Sequence, residues 1–155
     1  MRGPGLHAVT LGALCAVLLL AGGCGSDGMP EGPVATGGAL ARAIEREGEQ
    51  LCGRCAGTFG FATETECLRT YGYLDVPQCV RDVARAHADE LEPLLACELE
   101  TTQRLADCSA ALTCEDQLEP TDCDERYDTD HEACVAAYEG SEGSLAAFES
   151  CFTAG

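Results

Sequence analysis

Lysine and tryptophan are missing from this 155-residue sequence, and histidine occurs three times. Nine cations, every one an arginine, face 27 acidic residues, for a formal net charge of −18. Without lysine there is no Schiff-base or lysine-general-base chemistry. Without clustered positive charge there is nothing to neutralise phosphates, which excludes nucleic acid as a partner. Aromatic residues make up 5% of the chain, so a core here lacks the rings that usually dominate buried area. No run of alternating β-branched residues occurs either, which argues against a sheet.

A long apolar segment is also lacking. The run AVTLGALCAVLLL, Ala8 to Leu20, has 13 residues, whereas a helix crossing a bilayer needs about 20. With Arg2 ahead of it and small residues behind, it fits a secretory signal peptide. It leads into Leu20-Ala21-Gly22-Gly23-Cys24. That stretch resembles the lipobox of bacterial lipoproteins, in which an aliphatic residue and small residues precede a cysteine. The resemblance implies cleavage before Cys24, a diacylglycerol on its thiol and acylation of the new amino group. One departure is Ala21, where leucine is commonest in that family; Leu20 lies one residue further back. Several acyl chains anchor a protein stably, at ~0.8 kcal/mol per buried methylene. In the same family an aspartate directly after the cysteine favours retention in the inner membrane. Gly25 stands there, so the resemblance implies a cell-envelope location at the outer membrane or cell surface.

Gly25 to Gly38 is rich in glycine and proline and has no apolar period, so it reads as a flexible tether. The expected organisation is a signal peptide over 1–23, a lipidated Cys24 with its tether to 38, and a cysteine-rich domain over 39–155. Twelve cysteines occur in all. With Cys15 in the signal and Cys24 taken by lipid, Cys52, Cys55, Cys67, Cys79, Cys97, Cys108, Cys114, Cys123, Cys134 and Cys151 remain. An even number in an exported chain reads as a disulfide framework. Each bridge stabilises by roughly 2–4 kcal/mol, which offsets the poor core. Their connectivity is open at this point.

The apolar pattern predicts an all-α fold, a small disulfide-stapled domain of five to six short helices. Leu40, Ile44 and Leu51 place a first helix over Ala39 to about Cys52. Thr63-x-x-Glu66 is a capping-box spacing, and Gly72 ends the short helix it opens. Asp75 followed by Pro77 marks a third start, with Cys79, Val80 and Val83 inward and an end near His87. Leu91, Leu95, Leu99 and Leu105 mark a longer helix from Glu90 to Leu112, with Pro93 near its start. Cys97 and Cys108 lie about three turns apart on one face of it, so each is expected to bond a different element. An acidic loop from Cys114 to Cys123, closed by those two cysteines, is expected next. Thr129-x-x-Glu132 then opens a helix carrying Cys134 and Tyr138. A last helix starts at Ser144 with Leu145, Phe148, Cys151 and Phe152.

Three constellations invite chemistry. Cys52-Gly53-Arg54-Cys55 has the spacing of a thiol-disulfide oxidoreductase. It falls at a helix end, however, where the dipole disfavours a thiolate. Ala56 also replaces the histidine of a c-type haem site. Asp128, Asp130, Glu132 and Glu139 stand at positions one, three, five and twelve of a calcium-loop count, with Ala133 where the turn needs glycine. His87 and His131 lack zinc spacing to a cysteine pair and read as an exposed residue near a helix end and a first-turn residue. No metal or other cofactor is therefore assigned, and no nucleophile elbow, H-E-x-x-H or phosphate-binding glycine loop argues for an enzyme. As a whole the chain resembles cysteine-rich lipoproteins of bacterial envelopes, on LLLAGGC, the tether and stretches such as TETECLRTYGYLDVPQC. That resemblance carries no activity. The expected function is a non-enzymatic, membrane-tethered binding or structural module whose protein or envelope-polymer partner meets an acidic face. A calcium-binding acidic module and an oxidoreductase at Cys52 and Cys55 are the alternatives.

Overall fold

The computed structural model describes residues 32–153, and within them the fold is helical throughout. The proposed signal peptide and Cys24 lie outside the described residues. Six helices follow in order: α1 (Pro33–Cys55), α2 (Glu64–Thr70), α3 (Val76–Ala86), α4 (Ala88–Ala110), α5 (Asp122–Ala136) and α6 (Glu142–Thr153). A single 3-10 turn, Asp116–Leu118, sits between α4 and α5. None of the described helices is long and apolar enough to cross a membrane.

The helix α4 is the hub, packed against α1, α3, α5 and α6. Its Leu91, Leu94 and Leu95 are fully buried beside Leu40, Ala41 and Ile44 of α1, Val80 and Ala84 of α3, and Phe148 of α6. Each such leucine stabilises by about 1.5–3 kcal/mol relative to exposure. Helices α1 and α4 run in the same direction. Gly37 lies near Leu95 at one end, and Arg54 donates to the Ala110 and Leu112 carbonyls at the other. Those two bonds satisfy acceptors at the end of α4 that have no partner within the helix. A single residue, His87, joins α3 to α4. It is half-buried rather than exposed, because it is the hinge between two packed helices, and its φ of −127° and ψ of 34° end one helix and start the next.

Five disulfides take up all ten cysteines of the domain: Cys52–Cys67, Cys55–Cys114, Cys79–Cys151, Cys97–Cys134 and Cys108–Cys123. Cys97 and Cys108 do bond away from each other, but to one helix rather than two elements. Cys123 and Cys134 share their spacing of eleven, so an antiparallel α5 meets both at once. The expected closure of Cys114 on Cys123 is replaced by bonds to Cys55 and Cys108.

Helices α4 and α6 begin two residues earlier than expected, at Ala88 and Glu142, and two other starts differ by more. Helix α1 begins at Pro33, not Ala39, because Pro33 supplies a preset first-turn φ. Gly37, assigned to the tether, is in fact buried against α3: a Cβ there would lie 2.2 Å from the Cβ of Ala84. Helix α5 begins at Asp122, not Thr129. Thr121 and Asp124 form a capping box, and three acids in the first turn suit the helix dipole. Thr129 is a mid-helix residue whose hydroxyl donates to the Glu125 carbonyl. At α3, Asp75 occupies the cap position without a side-chain bond. Thr63 does cap α2, accepting from the Glu66 amide at 3.1 Å, but Glu66 reaches back to Ala62 rather than to Thr63.

The α1–α3 contact yields a prediction. Gly37→Ala overpacks that contact and lowers stability by about 1–3 kcal/mol. Gly53→Ala, with nothing nearer than the Glu64 carboxylate at 3.7 Å, gains about 0.5–1 kcal/mol of helix preference. Thermal unfolding of the two oxidised variants checks both signs.

Candidate functional site

The residues singled out from sequence do not assemble into a site. Cys52 and Cys55 lie in the last turn of α1 but are bonded to Cys67 and Cys114, not to each other, and both are fully buried. A redox pair is therefore not formed there. Asp128, Asp130 and Glu132 lie along α5 rather than in a loop, and Glu139 follows its end. No group of three or more metal-ligating side chains occurs among the described residues. Regular helix overrides the calcium count because consecutive odd positions of a helix point to different sides.

His131 is not a first-turn residue. It sits mid-way along α5, its Nδ1 2.7 Å from Oε1 of Glu98 on α4. Glu98 is 1% exposed, and burial holds its carboxyl above the usual range while His131 pulls against that shift. The Tyr127 ring stacks on the imidazole at 6.1 Å between centroids and 9° between planes. Arg104 donates to Asp130 one turn along the same seam. These contacts follow from the disulfide register: once Cys97 faces Cys134, Glu98 and His131 are neighbours.

On the other side of Tyr127 the surface opens into a cleft of about 320 Å³. Its walls are Glu47 and Leu51 of α1, Leu105 and Ser109 of α4, Gln117 of the 3-10 turn, Thr121 at the cap of α5 with Asp124 and Tyr127 within that helix, and Phe59, Tyr71 and Tyr73 around α2. A neighbouring hollow of about 180 Å³ shares Glu47, Tyr71, Tyr73, Leu105 and Tyr127 and extends the groove to Phe152. Five of the chain's eight aromatic residues thus line one groove. Phe59 and Phe61 set the Tyr71 ring edge-on, at 6.0 and 5.7 Å. Gly72, with a φ of 78°, turns the chain after α2. Gly48 then gives α1 a flat place for Tyr73: a Cβ there would lie 2.4 Å from its ring. Close approach at Gly48 is thus what lays Tyr73 beside Glu47.

Two acids line this groove, the exposed Asp124 and the half-buried Glu47. Burial pushes the Glu47 carboxyl up to about 7; the Tyr73 hydroxyl pulls it back in part, and Asp124 adds to the rise. Tyr73 and Tyr127 are held above the ordinary tyrosine range, chiefly by burial and then by the nearby carboxylates. Neither arginine nor histidine lines the groove. Another depression, of about 360 Å³, lies between α1 and α4 beside Arg46, Gln50, Gln103 and Asp107, but no ring or desolvated acid lines it.

The chain matches no protein-family model, no curated protein and no solved structure.

Two predictions follow from these acids. A carboxyl raised from 4.5 to about 7 makes the folded state bind the extra proton between those values, so its stabilising effect fades as pH rises through that window. Glu47→Gln therefore leaves stability near pH 4 almost unchanged and raises it at pH 8 by about 1–3 kcal/mol, read by urea unfolding at both. His131→Ala leaves the buried Glu98 carboxyl without its hydrogen-bond partner and costs about 1–3 kcal/mol. The double variant Glu98→Leu/His131→Ala recovers most of that loss; denaturant midpoints of the three proteins give the comparison.

Proposed function

We propose that this protein is a non-enzymatic, lipid-anchored, disulfide-stapled binding module of the bacterial cell envelope. The observation that carries the reading is the closed cysteine count. The ten cysteines of the described domain pair among themselves, so the framework makes no demand on Cys24. Five bonds of this kind persist in an oxidising compartment and not in a reducing cytoplasm. The lipobox-like stretch before Cys24 supplies a matching role for that thiol, with the outer membrane or cell surface as the destination.

A binding rather than a chemical role is supported by what the domain offers. It presents an acidic surface, −19 after removal of residues 1–23, since Arg2 is the one charged residue lost (8 − 27 = −19). It holds an aromatic-lined groove in a scaffold braced by covalent bonds. Ser144, the buried serine, is engaged with Ser141 and Glu90 in fixing the start of α6. A basic protein or a cation-bridged envelope polymer suits the acidic face as partner, and capture of such a partner weakens with added salt.

Intact mass spectrometry of the native protein is the test. The expected species begins at Cys24, carries acyl chains and gains ten hydrogens on reduction, two for each bridge. Retention of residues 1–23, or thiols that alkylate without reduction in freshly isolated protein, overturns the proposal.

A further inference from the structure

We propose that the groove between α1, α4 and α5 binds a small organic cation, an ammonium carried on a short carbon chain. The inference rests on the binding-module reading above and not on the lipid anchor. Aromatic rings are scarce in this chain, yet the core uses few of them. Phe148 is the one ring fully buried among the described residues, while Phe59, Tyr71, Tyr73 and Tyr127 gather around one opening. Ring faces attract cations, most strongly where water is excluded. A groove of about 320 Å³ also lies in the range that holds small ligands.

Charge decides what kind of ligand. Glu47 lies on the floor without a cationic partner. From α5 it faces Asp124 and Tyr127, from the turn after α2 Tyr73, and from α4 the uncharged Leu105 and Ser109. Glu98 lies beyond Tyr127 and is committed to His131. Arg54 shares a small adjoining hollow with Glu47 but donates to carbonyls of the α4 terminus, and Arg104 pairs with Asp130. An anionic ligand would meet Glu47 and Asp124 with no cation in the lining to offset them, and a neutral one would give the Glu47 carboxylate no counter-charge. A cation restores a partner to the carboxylate and lays its carbon chain on the rings. Because burial raises Glu47 to about 7, cation binding displaces a proton.

The test uses the oxidised full-length chain in detergent, titrated with choline and with its neutral isostere 3,3-dimethylbutan-1-ol. Tyrosine emission reports directly, since no tryptophan masks it, and calorimetry supplies the affinity. Choline is expected to saturate, with the isostere at least tenfold weaker. Affinity at pH 8 is expected to exceed that at pH 6 by about tenfold, because only the ionised Glu47 binds. Glu47→Gln abolishes both the preference for choline and the pH dependence. Tyr71→Leu, which removes a ring that is 50% exposed, weakens choline and leaves the melting temperature within a few degrees. Equal affinity for the isostere, binding independent of pH, or no saturation by roughly 10 mM choline overturns the proposal. Loss of choline binding alongside intact, salt-sensitive capture of an envelope partner defeats this inference alone. Free thiols in the native protein defeat the module reading itself.

Discussion

The antiparallel pairing of α4 with α5 through two disulfides is the constraint on which the rest of the domain depends. Helix α5, DCDERYDTDHEACVA, buries Cys123 and Cys134 and no other side chain fully. A helix this polar has almost no apolar face with which to dock, and α5 places acids near those of α1 and α4 in a chain already strongly negative. Sulfur, not hydrophobic burial, therefore holds it. Closing loops of 15 and 37 residues stabilises by about 3–4 kcal/mol each in the chain-entropy picture, through restriction of the unfolded chain. The remaining bridges tie α1 to α2, α1 to the segment after α4, and α3 to α6. Every helix is thus covalently linked to a neighbour.

That arrangement explains how a chain poor in aromatics spends so few of them on its interior. Leucines of α4, small residues of α1 and α3, and Phe148 fill the core. With disulfides supplying cohesion, Tyr71, Tyr73 and Tyr127 line a groove, while Tyr138 packs against the core. Such a groove survives because its walls are fixed covalently: α5 by Cys108–Cys123, and the Phe59–Tyr73 wall by Cys52–Cys67 on one side. The buried Glu98–His131 contact adds a register mark between α4 and α5, since a slip of one residue would strand the carboxyl.

Helix class was legible in the sequence because the signals were local. Thr63, Gly72 and the leucine stripe of α4 each act within a few residues, and each is found where its chemistry requires. Pairing and close approach were not legible. Thr121 and Thr129 both precede an acid by three, and nothing local distinguishes a helix that starts at one from a helix that starts at the other. The spacing of eleven, present in Cys97 and Cys108 and again in Cys123 and Cys134, was the one signal that could have given the α4–α5 register; read singly, each pair suggested less. Gly37 and Gly48 looked like tether and ordinary helix because the partner residues, Ala84 and Tyr73, are remote in sequence. The groove itself is assembled from five separate segments, so its aromatic residues appeared scattered.

Helix α1 also acts as a mast. Its first turn at Pro33 and the groove residue Glu47 are 14 residues apart, about 20 Å of helical rise, and Cys55–Cys114 locks the far end to the body. Glu47 and the rings around it are therefore set about four helical turns from the first turn of α1. A shorter first helix would bring Glu47, and the rings beside it, down to that end of the domain.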